Sequence, residues 1–114
     1  MALKDHSVSY VQELMENFFE LVENGDADGP ESWYSVKYGE GMPCDVPGLG
    51  TLTYVEDYGG EGGGDEYWVV FSLKDDELMR WFRMDGWYQS YAGGEFDSDL
   101  KEVSPKQKTI TVWE

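Results

Sequence analysis

Gly50-Thr51-Leu52-Thr53-Tyr54-Val55-Glu56-Asp57-Tyr58 and Glu66-Tyr67-Trp68-Val69-Val70-Phe71-Ser72-Leu73 decide the fold class. Both runs are rich in Thr, Tyr, Val, Trp and Phe, the residues that fit a pleated, half-buried surface. They predict two strands, joined by Gly59-Gly60-Glu61-Gly62-Gly63-Gly64-Asp65, a loop too glycine-rich to be rigid by itself. Downstream, Lys74-Asp75-Asp76-Glu77 reads as a polar turn and Leu78–Met84 as a further strand. Asp85-Gly86 is a hairpin signal, because both positions tolerate positive φ. Trp87–Tyr91 follows, Ala92-Gly93-Gly94 turns again, and Leu100–Val103 and Thr109–Trp113 close the chain around Pro105. Short strands at close spacing with glycine turns predict a strongly bent antiparallel sheet or small barrel.

Upstream the period changes. Ser9-Tyr10-Val11-Gln12 has capping-box spacing and Asn24-Gly25 is a helix stop, which predicts a helix over about 8–24. At 100° per residue, Val8, Val11, Leu14, Met15, Phe18, Phe19, Leu21 and Val22 share one arc. Glu13, Glu16, Glu20 and Glu23 share a narrow arc on the other side, with no Lys or Arg at i+4 to relieve them. Such like-charge neighbours cost a few tenths of a kcal/mol each, so helix stability alone does not account for them. Residues 25–50 read as Gly-, Pro- and Asp-rich connection, interrupted by a short strand at Trp33–Tyr38. The expectation is α+β: one N-terminal amphipathic helix packed on the sheet, within a single domain spanning 1–114, its β-rich part at about 31–114.

The net charge is −16, from 24 Asp and Glu against 8 Lys and Arg. A uniformly acidic surface would serve solubility or a saline habitat. The distribution here is uneven: residues 5–66 hold 15 acids and one base, Lys37, for a net −14. The charge excludes nonspecific nucleic-acid binding, which needs cations to displace counterions, and disfavours an anionic membrane surface. Aromatics at 16% argue for a packed fold over an acidic disordered tail. No apolar run reaches the ~18 residues of a membrane span. The lone Cys44 fits a reducing compartment, so the expected location is cytoplasmic.

Catalytic chemistry finds little to work with. The single histidine, His6, lies near an N-terminus expected to fray, and Cys44 has no nearby base in the sequence. Clustered Cys and His ligands for zinc are missing. Asn24-Gly25-Asp26-Ala27-Asp28-Gly29 resembles the start of a calcium loop, but its twelfth position is Ser35 where a bidentate Glu is due. The loop built on Gly60–Gly64 contains Glu61 and ends at Asp65, and would repel a phosphate. No enzyme activity, metal or cofactor is expected. The many Trp and Tyr residues build a β core, yet Tyr67 and Trp68 must face opposite ways, as must Trp87 and Tyr88. Some aromatics therefore reach the surface and suit an interface anchor.

From Tyr54 onward the chain resembles short acidic proteins of unassigned role encoded by tailed bacteriophages. The likeness is carried by Phe82-Arg83-Met84-Asp85-Gly86-Trp87-Tyr88-Gln89-Ser90-Tyr91, by Leu100-Lys101-Glu102-Val103-Ser104-Pro105 and by Thr109-Ile110-Thr111-Val112-Trp113-Glu114. It implies a viral gene acting in the bacterial host cytoplasm and carries over no catalytic residue. With the charge, it sets the expected function: an inhibitor of a host defence protein, such as a restriction or CRISPR nuclease, or of a DNA-processing protein. It would imitate DNA by occupying a basic nucleic-acid-binding surface. Candidate partner-binding residues are Glu13, Glu16, Glu20, Glu23, Asp26 and Asp28, with Glu56, Asp57, Glu61, Asp65 and Glu66 on the β side. Alternatives are an immunity-type protein that neutralises a basic toxin, a module that sequesters a small ligand, and a phage assembly component.

Overall fold

The computed structural model describes residues 2–59, 66–89, 93–96 and 98–105. The expected strand Thr109–Trp113 and the tip of the glycine loop, with Glu61 and Asp65, lie outside them. Two helices, α1 (Val8–Glu23) and α2 (Trp33–Lys37), precede six strands. These are β1 (Cys44–Val46), β2 (Gly50–Tyr58), β3 (Glu66–Lys74), β4 (Met79–Gln89), β5 (Gly93–Glu95) and β6 (Lys101–Val103). The fold is α+β. Its antiparallel sheet runs β1-β2-β3-β4, with β5 and β6 end to end along the free edge of β4. The sheet is open, and no described pairing closes it into a barrel.

Helix α1 starts at Val8, as expected, but its cap lies two residues before the Ser9 signal. Ser7 is the N-cap, its Oγ accepting from the Tyr10 N–H at 3.2 Å. Gln12 instead braces the C-terminal region, accepting from the Leu100 N–H at 2.9 Å. The stop is as expected: Asn24 caps the helix and Gly25 takes φ 83°, which costs glycine little. Val11, Met15, Phe18 and Phe19 are buried, whereas Leu21 remains 41% exposed.

Residues 33–37 are helical, not the strand expected for Trp33–Tyr38. The Ser32 Oγ accepts from the Ser35 N–H at 3.2 Å and caps the turn. Once helical, Trp33, Val36 and Lys37 fall on the sheet side, leaving Tyr34 and Tyr38 about half exposed. Trp33 then joins the layers, its ring 4.9 Å from Phe19 and 5.7 Å from Phe71.

The core lies between the helices and one sheet face formed by Leu52, Val69, Phe71, Leu73, Phe82 and Met84. Cross-strand partners share a face, so the register assigns every side chain. One irregularity rephases β2: Tyr54 pairs with Phe71 but Glu56 with Val70, leaving Val55 as the extra residue. Beyond the bulge Glu56 and Tyr58 face outward, and Asp57, opposite Val69, faces the helices.

Asp85-Gly86 is not a turn. β4 runs through it, paired with β3 from Glu66↔Trp87 to Lys74↔Met79. The β3–β4 hairpin turn is the polar one expected at Lys74–Glu77: at Asp75 to Leu78 the Asp75 Oδ1 accepts from the N–H groups of Glu77 (2.9 Å) and Leu78 (3.0 Å). Gly86 serves a close approach of backbone: a Cβ there would lie 2.0 Å from the Glu95 carbonyl oxygen and 3.1 Å from the Phe96 Cα. Gly86→Ala is therefore expected to destabilise by about 2 kcal/mol in urea unfolding. Gly86→Asn should do at least as much harm. An Asn variant as stable as wild type would instead point to the positive-φ turn that the dipeptide suggests.

Candidate protein-binding surface

The helical layer presents the carboxylates. Glu13, Glu16, Glu20 and Glu23 are all exposed along α1, and none forms an ion pair among the described residues. Ten residues of helix rise about 15 Å, which gives one carboxylate per ~5 Å along the axis. Glu16 alone has neutral donors, the Trp33 indole N–H at 3.2 Å and the Gln12 amide at 3.4 Å. Asp26 and Asp28 continue the surface beyond the helix end, both exposed. Glu31 and Glu40, which flank α2, are exposed as well.

Lys37, the one base in residues 5–66, is withdrawn from this surface. Its side chain is 1% exposed, and the ammonium donates to the Asp57 Oδ2 at 2.7 Å and the Gly59 carbonyl at 3.0 Å. The Tyr67 and Tyr38 rings stand 4.6 and 5.3 Å from it. The β2 bulge makes the pair possible, since only the rephased strand turns Asp57 toward α2. Asp57, a candidate for partner binding, is thus engaged inside the molecule. Burial pushes its carboxyl up, but the Lys37 ammonium and the Tyr54 hydroxyl outweigh this and hold it below the usual range. The same contact with Asp57 pushes the Tyr54 phenol up to about 12.

A lowered carboxylate stabilises the fold fully above the ordinary value and loses that contribution as pH falls through the folded one. Wild type should exceed Asp57→Asn in stability by a constant margin above about pH 5, and the margin should shrink toward about pH 3. Urea midpoints measured across that range check this. A margin that stays flat throughout would show that Asp57 is not held by Lys37.

The other β-side candidates lie on the opposite face of the sheet. Glu56 is exposed there, and Glu66 is exposed while accepting from the Trp68 indole at 2.8 Å. The expected opposition of Tyr67 and Trp68 holds: Tyr67 is buried with Tyr88 stacked on it, and Trp68 faces outward beside Tyr58. Trp68, Val70, Trp81, Arg83 and Val103, with Val55, Glu56 and Pro105, line a shallow groove of about 480 Å³. Arg83 pairs with Asp85 at 2.8 Å and lies 4.5 Å from the Trp68 ring, while Lys101 reaches Asp85 at 3.4 Å.

His6 is not in a frayed end. It is 5% exposed, and its Nε2 hydrogen-bonds the Gly48 carbonyl at 2.9 Å. The N-terminal turn is held by the Asp75 Oδ2, which accepts from the Leu3 N–H at 3.0 Å, and by Arg80, which donates to the Leu3 and His6 carbonyls. Among the described residues no three His, Cys, Asp or Glu side chains come together to hold a metal ion. No described helix is long and apolar enough to cross a membrane. Compared with known proteins, the chain matches no family model, no curated protein and no solved structure.

Proposed function

We propose that this is an acidic binding protein, acting without catalysis, that occupies the basic nucleic-acid-binding surface of a partner protein. The observation that carries the reading is the burial of Lys37. From Val8 to Gly41 the chain exposes eight carboxylates, and its single cation is sequestered against Asp57. A groove built for DNA meets about one phosphate per 3.4 Å of strand. The carboxylates of α1 come within a factor of two of that spacing and offer no cation to repel the groove's lysines and arginines. Summed over the layer, such a field steers association and rejects neutral or acidic partners. The likeness read in the C-terminal half to tailed-phage proteins directs the proposal to a defence or DNA-processing protein of a bacterial host.

The experiment is capture from bacterial lysate on the immobilised protein, at low and at moderate salt. The reading expects a basic DNA-binding protein that is retained at low salt, lost at about 0.5 M, and blocked by excess duplex DNA. Retention that is indifferent to duplex DNA would contradict it. Capture of a basic toxin lacking a nucleic-acid site would favour the immunity-type reading.

A further inference from the structure

Antiparallel sheets with one covered face ordinarily turn polar residues outward on the other. The other face of this sheet, which no described residue covers, sets a cluster of apolar side chains among its polar ones. Val55, Tyr58, Trp68, Val70, Trp81 and Val103 all occupy it, with Val55 45% and Tyr58 47% exposed. Its charges are nearly balanced: Lys74, Arg83 and Lys101 lie among Glu56, Glu66, Asp85 and Glu95. A strongly charged partner has little to recognise there, whereas an identical face does.

We propose that a second copy of the chain docks on this surface, outer face to outer face, leaving both anionic helical layers pointing away. The register supplies the geometry. Glu56, Val70 and Arg83 form one row across β2, β3 and β4. A two-fold axis between the sheets, running along β3, sets Val70 against its own copy and reverses the row. Glu56 of each copy then faces Arg83 of the other. The neighbouring row, Tyr58, Trp68 and Asp85, reverses likewise and brings each Tyr58 hydroxyl opposite an Asp85 carboxylate.

Size and charge permit the pairing. Strands β2, β3 and β4 cover roughly 14 by 30 Å in projection, and the three residues of β6 add about 10 Å of a fourth strand. With side-chain relief that is comparable to the ~800 Å² per partner of a stable interface. Sheets pack about 10 Å apart and each helical layer adds about as much again, so the two acidic layers lie about 30 Å apart. That is several Debye lengths at physiological salt, so their repulsion is screened. The inference concerns the face opposite the helical layer and does not depend on what that layer binds.

Sedimentation equilibrium between about 1 and 100 µM tests it, with the expected mass twice the chain's 13.0 kDa. Val70→Glu should weaken the dimer about 100-fold by setting two carboxylates against each other in an apolar centre. Glu56→Arg should weaken it about tenfold, and Glu56→Arg with Arg83→Glu should recover most of that. The charge variants keep the test decisive if circular dichroism shows Val70→Glu unfolded. Replacing Glu13, Glu16, Glu20 and Glu23 by Gln should leave the dimer intact. A wild-type mass near 13.0 kDa at the highest concentration overturns the proposal, as does loss of the dimer on altering the helix alone.

Discussion

Lys37→Met is expected to destabilise the protein by about 3 kcal/mol and to lower its melting temperature by roughly 10–15 °C. The methionine refills much of the space but leaves two acceptors without their donor. Asp57 keeps only the Tyr54 hydroxyl, and the Gly59 carbonyl loses its bond. Removing one partner of a buried pair costs more than the pair is worth, because an uncompensated charge remains in a poor solvent for it. Asp57 retains 30% of its side-chain exposure, which holds the loss at the lower end of the usual range. Adding Asp57→Asn to Lys37→Met should therefore restore most of the stability, since the stranded charge is gone. Guanidinium titrations of wild type, both single variants and the double give the coupling. Additive losses would show that the two side chains do not act as a pair.

Replacing Glu13, Glu16, Glu20 and Glu23 together by Gln should slow association with the captured partner by about 100-fold at low salt. Dissociation should change much less, because steering acts on encounter. The core face of α1 is untouched, so the fold should be unchanged or slightly firmer once like-charge repulsion is relieved. Glu16→Gln alone removes one of the four charges and should slow association far less, while its amide oxygen can still accept from the Trp33 indole. Association as fast as wild type, with the same salt dependence, would reduce the ridge to a solvated face.

Much of this was legible in the residues. Helix α1 announces itself through a sustained period of 3.6, and strands β2 and β3 through runs of Thr, Tyr, Val, Trp and Phe, bounded by Gly25, Gly50 and the glycine loop. The carboxylate ridge follows from the same helical period. Shorter segments carry no such signal. Trp33 to Lys37 span barely more than one turn of β-favouring residues, and only the Ser32 cap marks them as helical. At Asp85-Gly86 a local turn preference yields to nine paired positions with β3, and glycine serves close packing instead. The burial of Lys37 was beyond reach of the sequence for a related reason. It requires both α2 and the Val55 bulge, and nothing local in β2 announces a one-residue change of register.

The central claim is that the helical layer and nucleic acid compete for one surface of the partner. Its most direct test is fluorescence anisotropy of a labelled DNA duplex bound to the captured partner, titrated with this protein at low salt. The account predicts displacement of the duplex to completion, with the quadruple Gln variant displacing it only at far higher concentration. A ternary complex, in which the partner holds the duplex and this protein together with undiminished affinity for each, would contradict it.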